Sequence, residues 1–416
     1  MTPNQQFVKP QYGSRCFADI PATLKTLLTG EGRASLAEET LGHLFRQYET
    51  VILFFVDAFG WCFWERYREA HPFLAWLAER GIVSKLTSQF PSTTAAHVTA
   101  IHTGLPPAQS GVYEWYYYDP EVDAMIAPLL FSEAGTKWRE GLQARRVDPT
   151  KLYPTQTLYQ ELQAYGVNSY VFQPSAFTPS TYSNVVLQGA EVMPYRTLSE
   201  ALVNLRLLLA QRNAPSYFFV YFDAIDAIGH YYGPGSPQIH AEIETFLATM
   251  ERLFLPILDG KTADTLFLMT ADHGQVAIDP MTTVYLNTHP AFSGVERFMK
   301  RNRGGHLLVP GGSCRDMFLY IQDDLLDKAQ VFLAERLEGT AEVYRVADLI
   351  AAGFFGDAPP SKRFQARVGN LVILPYAGES VWWYEKGKFE QAFYGHHGGL
   401  TRDEMEIPLV ACGLGG

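Results

Sequence analysis

The sequence predicts an α/β protein with a doubly wound, mostly parallel sheet flanked by helices and a small α+β cap. Three apolar runs that each end in aspartate carry this prediction: residues 51–57 (VILFFVD), 217–223 (YFFVYFD) and 265–272 (TLFLMTAD). Unbroken apolar runs of this length are typical of strands buried on both faces of a parallel sheet. Helix-like stretches at 198–211 and 240–255 lie between them. Strands that alternate with helices indicate a doubly wound fold.

The length of 416 residues exceeds that of one small domain, so we expect a large core with additions. The predicted core is 45–300 together with 395–416, and residues 1–44 form an N-terminal extension packed on it. Residues 113–131 are rich in Tyr and Trp and read as an inserted loop over the site. Short apolar segments and an amphipathic stretch at 325–337 predict a small α+β cap over 301–394.

The composition excludes several classes of protein. A net charge of -11 argues against binding of a nucleic-acid polymer, because that mode needs a basic surface. No apolar run reaches membrane-spanning length, and the first residues lack the pattern of a signal peptide, so we expect neither a membrane anchor nor secretion. The four cysteines lie far apart without metal-binding spacing, which favours reduced thiols and a cytoplasmic location; they are Cys16, Cys62, Cys314 and Cys412.

Acids and histidines follow the predicted strands, where ligands gather in such sheets. Asp272 and His273 are adjacent in ADHG, a pair suited to one divalent ion but also compatible with a helix cap and a bystander histidine. Asp226 and His230 lie four apart, so one helical turn places both on the same face. Asp223 ends the same strand and is a competing ligand candidate.

Two further segments complete the set. GHHGGL places histidines among glycines that offer no volume for packing, and we choose His397 as the ligand with His396 as the alternative. FPSTTAAH places Thr93 and Thr94 directly before a helix-like stretch, where backbone N–H groups favour a phosphate. A threonine there is ordinarily a helix cap, but beside metal ligands its hydroxyl is also a candidate nucleophile.

With VDAFG, PSTT, DAIGH, ADHG and HHGG in this order, the chain resembles the alkaline phosphatase superfamily, closest to its type I phosphodiesterase/nucleotide pyrophosphatase branch. The resemblance implies two divalent ions, zinc or else manganese, and Thr94 as the nucleophile. It assigns one ion to Asp57, Thr94, Asp272 and His273. It assigns the other ion to Asp226, His230 and His397.

The implied reaction is hydrolysis of a small-molecule phosphate ester, as a phosphodiesterase or nucleotide pyrophosphatase that forms a phospho- or nucleotidyl-threonine. A phosphomonoesterase, a phosphonate hydrolase, a mutase and a non-catalytic metal-binding homologue are the alternatives. The sequence departs from the family where an Asn binds a phosphoryl oxygen: Trp115 stands there, next to Glu114. These two residues and Arg315 are the candidate substrate-binding residues, and the other basic candidates are Arg303, His306 and Arg402.

Overall fold

A computed structural model of the chain describes residues 6–136, 138–212, 214–259 and 264–414. The strands of the described part are β1 (Thr50–Val56), β2 (Ile82–Thr87), β3 (Tyr117–Asp119), β4 (Ala124–Ala127), β5 (Ser132–Glu133), β6 (Asn168–Pro174), β7 (Glu191–Tyr195), β8 (Ser216–Phe222), β9 (Thr265–Thr270), β10 (Val276–Ala277), β11 (Val284–Tyr285), β12 (Gly311–Ser313), β13 (Asp316–Leu319), β14 (Ala341–Arg345), β15 (Leu371–Pro375), β16 (Val381–Trp382), β17 (Gly395–His396) and β18 (Glu406–Leu414).

The α-helices of the same residues are α1 (Ile20–Thr29), α2 (Trp61–Tyr67), α3 (Pro72–Arg80), α4 (Thr94–Thr103), α5 (Pro107–Ser110), α6 (Gly141–Ala144), α7 (Pro149–Leu152), α8 (Leu158–Ala164), α9 (Thr181–Val186), α10 (Leu198–Gln211), α11 (Ala224–Tyr232), α12 (Pro237–Thr249), α13 (Leu255–Asp259), α14 (Leu326–Arg336), α15 (Val346–Ala351), α16 (Lys362–Arg367) and α17 (Arg402–Met405). A π-helical turn, Met250–Phe254, joins α12 to α13.

The central sheet has seven strands within the described residues, in the order β2-β18-β9-β1-β8-β6-β7. β1 runs parallel to β8 and β9, whereas β18 is antiparallel to both of its neighbours. Every residue of β1, β8 and β9 is buried, as their unbroken apolar sequences predict. The predicted α/β fold with a mostly parallel sheet flanked by helices is therefore confirmed.

The three predicted strand ends lie side by side. Phe55 of β1 is in register with Tyr221 of β8 and with Thr270 of β9. Because these strands are parallel, the residues that follow them leave the same edge of the sheet. This edge carries the functional site.

The N-terminal residues pack on the core through α1. Its buried residues Ile20, Leu24 and Leu27 belong to the main hydrophobic cluster, and the helix contacts α4 and α8. This apolar face therefore packs against α4, the helix that begins with Thr94. Residues 113–131, expected as a loop, contain β3 and β4, which pair antiparallel. Such short strands leave too little alternation in the sequence to be recognised.

Between residues 301 and 394 the chain forms an antiparallel sheet with the order β12-β13-β15-β14. Alternate side chains of β13 serve two cores: Met317 and Leu319 pack in a second hydrophobic cluster with Leu333 of α14, while Phe318 packs in the main cluster. The small sheet therefore lies between α14 and the main hydrophobic cluster. Within the described residues, no helix is long and apolar enough to cross a bilayer.

Candidate functional site

Four of the predicted ligands converge at the ends of β1 and β9 and at the start of α4. The Nε2 atom of His273 lies 3.2 Å from Oδ2 of Asp272 and 3.5 Å from Oδ1 of Asp57. The Thr94 hydroxyl oxygen lies 3.3 Å from the same nitrogen. All three neighbours of His273 thus point their oxygens at one small volume, which matches the first predicted ligand set.

Hydrogen bonds hold these groups with their ligand atoms free. His273 Nδ1 lies 3.0 Å from the carbonyl oxygen of Gly274, which can only accept, so Nδ1 carries the hydrogen and Nε2 offers a lone pair. Asp272 Oδ1 accepts the N–H groups of Ala58 and His273 at 3.1 and 2.9 Å. Asp272 Oδ2 has no hydrogen-bond partner among the described residues. It is therefore available to a cation.

The second predicted set assembles around Asp226 on α11. His230 Nε2 lies 3.3 Å from Asp226 Oδ2, and His397 Nε2 lies 3.7 Å from Asp226 Oδ1. Each imidazole donates from Nδ1 to a carbonyl, His230 to Gly395 at 2.8 Å and His397 to Ser92 at 2.8 Å. Both Nε2 atoms therefore face the carboxylate, and each offers a lone pair to a metal ion when its imidazole is neutral.

The two sets are adjacent. The rings of His273 and His397 stack with centroids 3.7 Å apart. His273 can also be grouped with Asp226 and His397, because their ligand atoms lie within 4.8 Å of one another, as do those of Asp57, Asp272 and His273. His273 therefore stands between the two sets rather than belonging to one alone.

The pKa values of the acidic and histidine side chains in the site favour the binding of cations. Burial and the neighbouring Asp272 raise the pKa of Asp57, and burial raises the pKa of Asp272 to about 7. Burial disfavours the ionised form of Asp226, but the imidazoles of His230 and His397 outweigh it and lower the pKa of Asp226. Burial also lowers the pKa of His397 to about 4. Asp57 and Asp272 are thus buried carboxyl groups beside the imidazoles of His273 and His397, whose pKa values are lowered by burial, and a divalent ion would stabilise the carboxylate forms in place of protons.

The donor set fits two divalent metal ions. Asp57 Oδ1 and Asp272 Oδ2 are buried without hydrogen-bond partners in the described chain, a costly state for a polar atom unless another group binds it. Carboxylates and imidazole nitrogens together are ligands for zinc and manganese. Asp57, Asp272, His273 and Thr94 would hold one ion, and the Asp226 set would hold the other.

Thr94 is the first residue of α4, and Thr93 is the N-cap residue. The Thr93 side chain does not cap the helix, so the ordinary explanation for a threonine here does not apply. The hydroxyl of Thr93 favours instead the ionised form of the Glu114 carboxyl group and so counteracts the burial that raises its pKa. Thr94 presents its hydroxyl to the ligand cluster, and the free N–H groups of the helix start lie beside it.

The alternatives that the sequence left open are placed differently. Asp223 and His396 both line the cavity next to the site, but neither belongs to the two groups of described residues that could hold a metal. His396 Nδ1 lies 2.9 Å from the carbonyl of His397 within its own loop. The geometry favours Asp226 and His397 as the ligands.

A cavity of about 560 Å³ opens beside the ligands. Trp115 and Glu114 both line it, together with aromatic side chains such as Phe177 and Phe389. Burial raises the pKa of the Glu114 carboxyl to about 7. Trp115 and Glu114 thus present an indole beside a buried carboxyl group to the cavity.

Arg315 does not reach the cavity. Its guanidinium is fully buried and bonds Glu404 twice, each at 3.0 Å. Arg303 pairs with Asp123 on the surface, and Arg402 lies 3.9 Å from Glu406.

None of the predicted basic residues lines the cavity, whose described lining contains Arg139 and Lys388 instead. A sequence cannot show which acid an arginine will meet, so the buried pairing of Arg315 was not foreseen.

Sequence reasoning missed residues that support the ligands. The Tyr221 hydroxyl donates to Oδ2 of Asp57, and Gln275 Nε2 donates to Oδ1 of Asp226 at 2.6 Å. Tyr221 sits in an apolar strand with nothing in its local pattern to single it out. Gln275 follows His273 by two residues in ADHGQ, which is a signal that could have found it.

Known proteins show the same fold. Two structures of murine ectonucleotide pyrophosphatase/phosphodiesterase 5, one of them an inactive threonine-to-alanine variant in complex with AMP, each match with a TM-score of 0.63 at 16% identity over 87% of both chains. The human protein matches with a TM-score of 0.63 at 15% identity over 88% of both chains. No curated protein sequence matches the chain.

The sequence profile described as type I phosphodiesterase/nucleotide pyrophosphatase matches residues 51–400. This range includes every predicted ligand, from the strand that precedes Asp57 to the loop of His397. The match covers most of the 416 residues. The chain therefore belongs to the type I phosphodiesterase/nucleotide pyrophosphatase family, hydrolases of phosphoester bonds within the alkaline phosphatase superfamily.

Proposed function

We propose that the protein hydrolyses phosphodiester or nucleotide pyrophosphate bonds through a phospho- or nucleotidyl-threonine at Thr94, with two divalent ions, preferably zinc. One observation carries the proposal: the Thr94 hydroxyl lies 3.3 Å from Nε2 of His273, inside the first ligand set. A hydroxyl that served only to start a helix would have no reason to face buried metal ligands.

The bound ions would lower the pKa of the hydroxyl and offset charge on the phosphoryl oxygens. Thr94 Oγ1 gives its proton to solvent and attacks phosphorus, so that an Oγ–P bond forms while the bond from phosphorus to the leaving oxygen breaks, and the leaving oxygen takes up a proton from solvent. The N–H groups at the start of α4 hold a phosphoryl oxygen, because a helix N-terminus carries partial positive charge. Water then displaces the threonine oxygen, which releases the product and restores Thr94.

The cavity supports a diester with one aromatic or apolar ester group. Trp115 offers an indole face on which such a group can stack. Glu114 lines the same cavity, and its carboxylate form would repel the second negative charge of a monoester more than the single charge of a diester. The murine relative is known in complex with AMP, which supports a nucleotide-like substrate.

A comparison of substrates tests the proposal. The metal-free protein is reconstituted with zinc or manganese, its metal content is measured, and a p-nitrophenyl diester, monoester and phosphonate are compared. We expect two ions per chain, loss of turnover on chelation, and the highest kcat/KM for the diester. Fewer than two ions, or activity that survives exhaustive chelation, would overturn the two-metal site. A higher kcat/KM for the monoester or phosphonate would replace the diester assignment.

We also propose that the protein works in a reducing compartment such as the cytoplasm. All four cysteines are unpaired, and Cys16, Cys314 and Cys412 are buried, a usage typical of proteins whose thiols stay reduced. Fractionation of the source cells with an antibody against the protein checks this location.

A further inference from the structure

Ser92 lies two residues before Thr94 and is fully buried. Its hydroxyl donates to the carbonyl of Gly399 at 2.8 Å and accepts the N–H of Gly398 at 3.1 Å. Its own N–H donates to the carbonyl of Gly398 at 3.3 Å, and its carbonyl accepts from His397 Nδ1 at 2.8 Å. Every polar atom of Ser92 is thus committed to the loop that carries the late histidine.

These bonds determine how His397 faces the ligand cluster. Donation from Nδ1 sets the tautomer and leaves the Nε2 lone pair toward Asp226, 3.7 Å from its Oδ1 atom. The loop has little room to shift, because Gly398 has φ +124° and an added Cβ would lie 2.5 Å from Asp316 Oδ1.

Glu404 holds the other side of the same loop. Its carboxylate accepts the N–H of Gly399 at 3.1 Å, and the N–H and hydroxyl of Thr401 at 3.1 and 2.6 Å. The charge of Glu404 is offset by the buried guanidinium of Arg315, which also donates to the carbonyl of Tyr376 at 2.8 Å. Arg315 therefore acts on the loop through Glu404.

The hairpin of β12 and β13 adds a direct contact. The Ser313 hydroxyl lies 3.2 Å from the carbonyl oxygen of His397 and 2.6 Å from Asp316 Oδ1. Asp316 also accepts the N–H of Ser313 at 3.1 Å. The small sheet thus reaches the histidine loop through Ser313 as well as through Arg315.

We propose that Ser92, Ser313 and Glu404, the last with Arg315, form a histidine-loop anchor that positions His397 for the second metal ion. This inference rests on the proposed two-metal function. Removing a hydrogen bond that orients a metal ligand typically lowers the metal affinity about 10- to 100-fold. The anchor couples the nucleophile segment, the small sheet and α17 to one ligand, so the second ion depends on contacts that lie outside its own ligand set.

Zinc titration of the metal-free protein against a competing chelator tests this inference. Ser92→Ala removes both hydroxyl bonds and keeps the backbone bonds, so we expect the dissociation constant of one ion to rise by about 10- to 100-fold while the other changes little. Ser216→Ala is the matched control. Ser216 is also buried and its hydroxyl bonds the carbonyl of Ala214 at 2.9 Å, but it begins β8 at the opposite edge of the sheet.

A double-mutant cycle identifies the ligand through which Ser92 acts. In a His397→Ala background, Ser92→Ala should cause no further loss of zinc affinity, because the ligand that it positions is gone. Ser313→Ala should weaken the same ion by a smaller factor. It also serves as the deciding variant if Ser92→Ala does not fold.

The outcomes are distinguishable. Wild-type protein that binds fewer than two ions overturns the proposed two-metal function. Wild-type protein that binds two ions, together with unchanged affinities in Ser92→Ala or, where that variant does not fold, in Ser313→Ala, overturns the anchor alone. Equal weakening of both ions in Ser92→Ala, or a full additive loss in the His397→Ala background, also overturns it.

Discussion

Thr93 and Thr94 stand side by side at the start of α4, yet their hydroxyl groups have different surroundings. The Thr93 hydroxyl favours the ionised form of the buried carboxyl group of Glu114, whereas the Thr94 hydroxyl lies 3.3 Å from His273 Nε2. Neither one caps the helix through its side chain. Substituting each residue in turn can therefore distinguish an effect on the reaction from an effect on stability.

We predict that Thr94→Ala folds normally and loses several powers of ten in kcat, whereas Thr93→Ala retains most of its kcat. Thr94→Ala removes the attacking oxygen, so the kcat that remains comes from residual catalysis by the other groups of the site. Single-turnover kinetics and thermal melting of both variants measure the two effects. A Thr94→Ala protein with near-normal kcat and a lower Tm would identify Thr94 as a structural residue.

The ligands that a sequence can predict are those that carry a local pattern. Asp272 and His273 are adjacent, and Asp226 and His230 are one helical turn apart, so their proximity needs no knowledge of the fold. Ser92 contacts a loop more than 300 positions away along the chain. Such a contact has no local signature, because it depends on how distant segments pack.

At the scale of elements, the strand ends were predictable because β1, β8 and β9 are buried on both faces and read as unbroken apolar runs. Parallel neighbours then have to place Asp57, Asp223 and Asp272 at one edge. The direction of β18 was not predictable, because a strand of nine residues has the same apolar pattern in either direction. The order of strands in the small sheet also depends on tertiary packing.

The small sheet and the core are also joined by Arg367, the last residue of α16. Its guanidinium is fully buried, donates to Asp119 Oδ2 at 2.7 Å, and donates to the carbonyls of Gly111 and Leu152 at 2.7 and 3.0 Å. Asp119 ends β3. One side chain thus links α16 to three separate segments.

We predict that Arg367→Met lowers the free energy of unfolding by about 3–5 kcal/mol, because it leaves Asp119 as a buried charge without its partner. Urea denaturation measures the change. Arg363→Met is the control, one turn earlier on α16, where the side chain is only half-buried and bonds the carbonyl of Thr150 at 3.3 Å; it should cost about 1 kcal/mol or less. Equal losses in the two variants would contradict the prediction.

For the whole molecule, the site brings three aspartates together in a protein that is already acidic, with a net charge of -11. Asp57 and Asp272 are buried, and burial favours their protonated forms. The folded, metal-free protein therefore keeps protons that a metal ion has to displace. Stability, metal binding and pH are linked through this displacement.

The last prediction concerns this linkage. In the metal-free fold the pKa of Asp272 is about 7, raised by burial, so below pH 7 this group holds a proton that a bound ion releases. The pKa of His230 is raised as well, because the adjacent Asp226 outweighs the effect of burial, so its imidazole also gives up a proton on binding. Both proton releases act in the same direction, so the metal affinity falls as the pH falls.

Each released proton should raise the dissociation constant about tenfold per pH unit below pH 7, which removes about 1.4 kcal/mol of metal-dependent stabilisation per unit at fixed free metal. Thermal melting at pH 8, 7 and 6, with buffered zinc and with chelator, measures the difference that the metal makes at each pH. Asp272→Asn is the matched control: it keeps the shape of the side chain, lacks the titrating group, and should lose much of the pH dependence as well as the affinity. An increase in Tm on zinc addition that is equal at pH 6 and pH 8 would show that the ions do not displace protons from these buried groups.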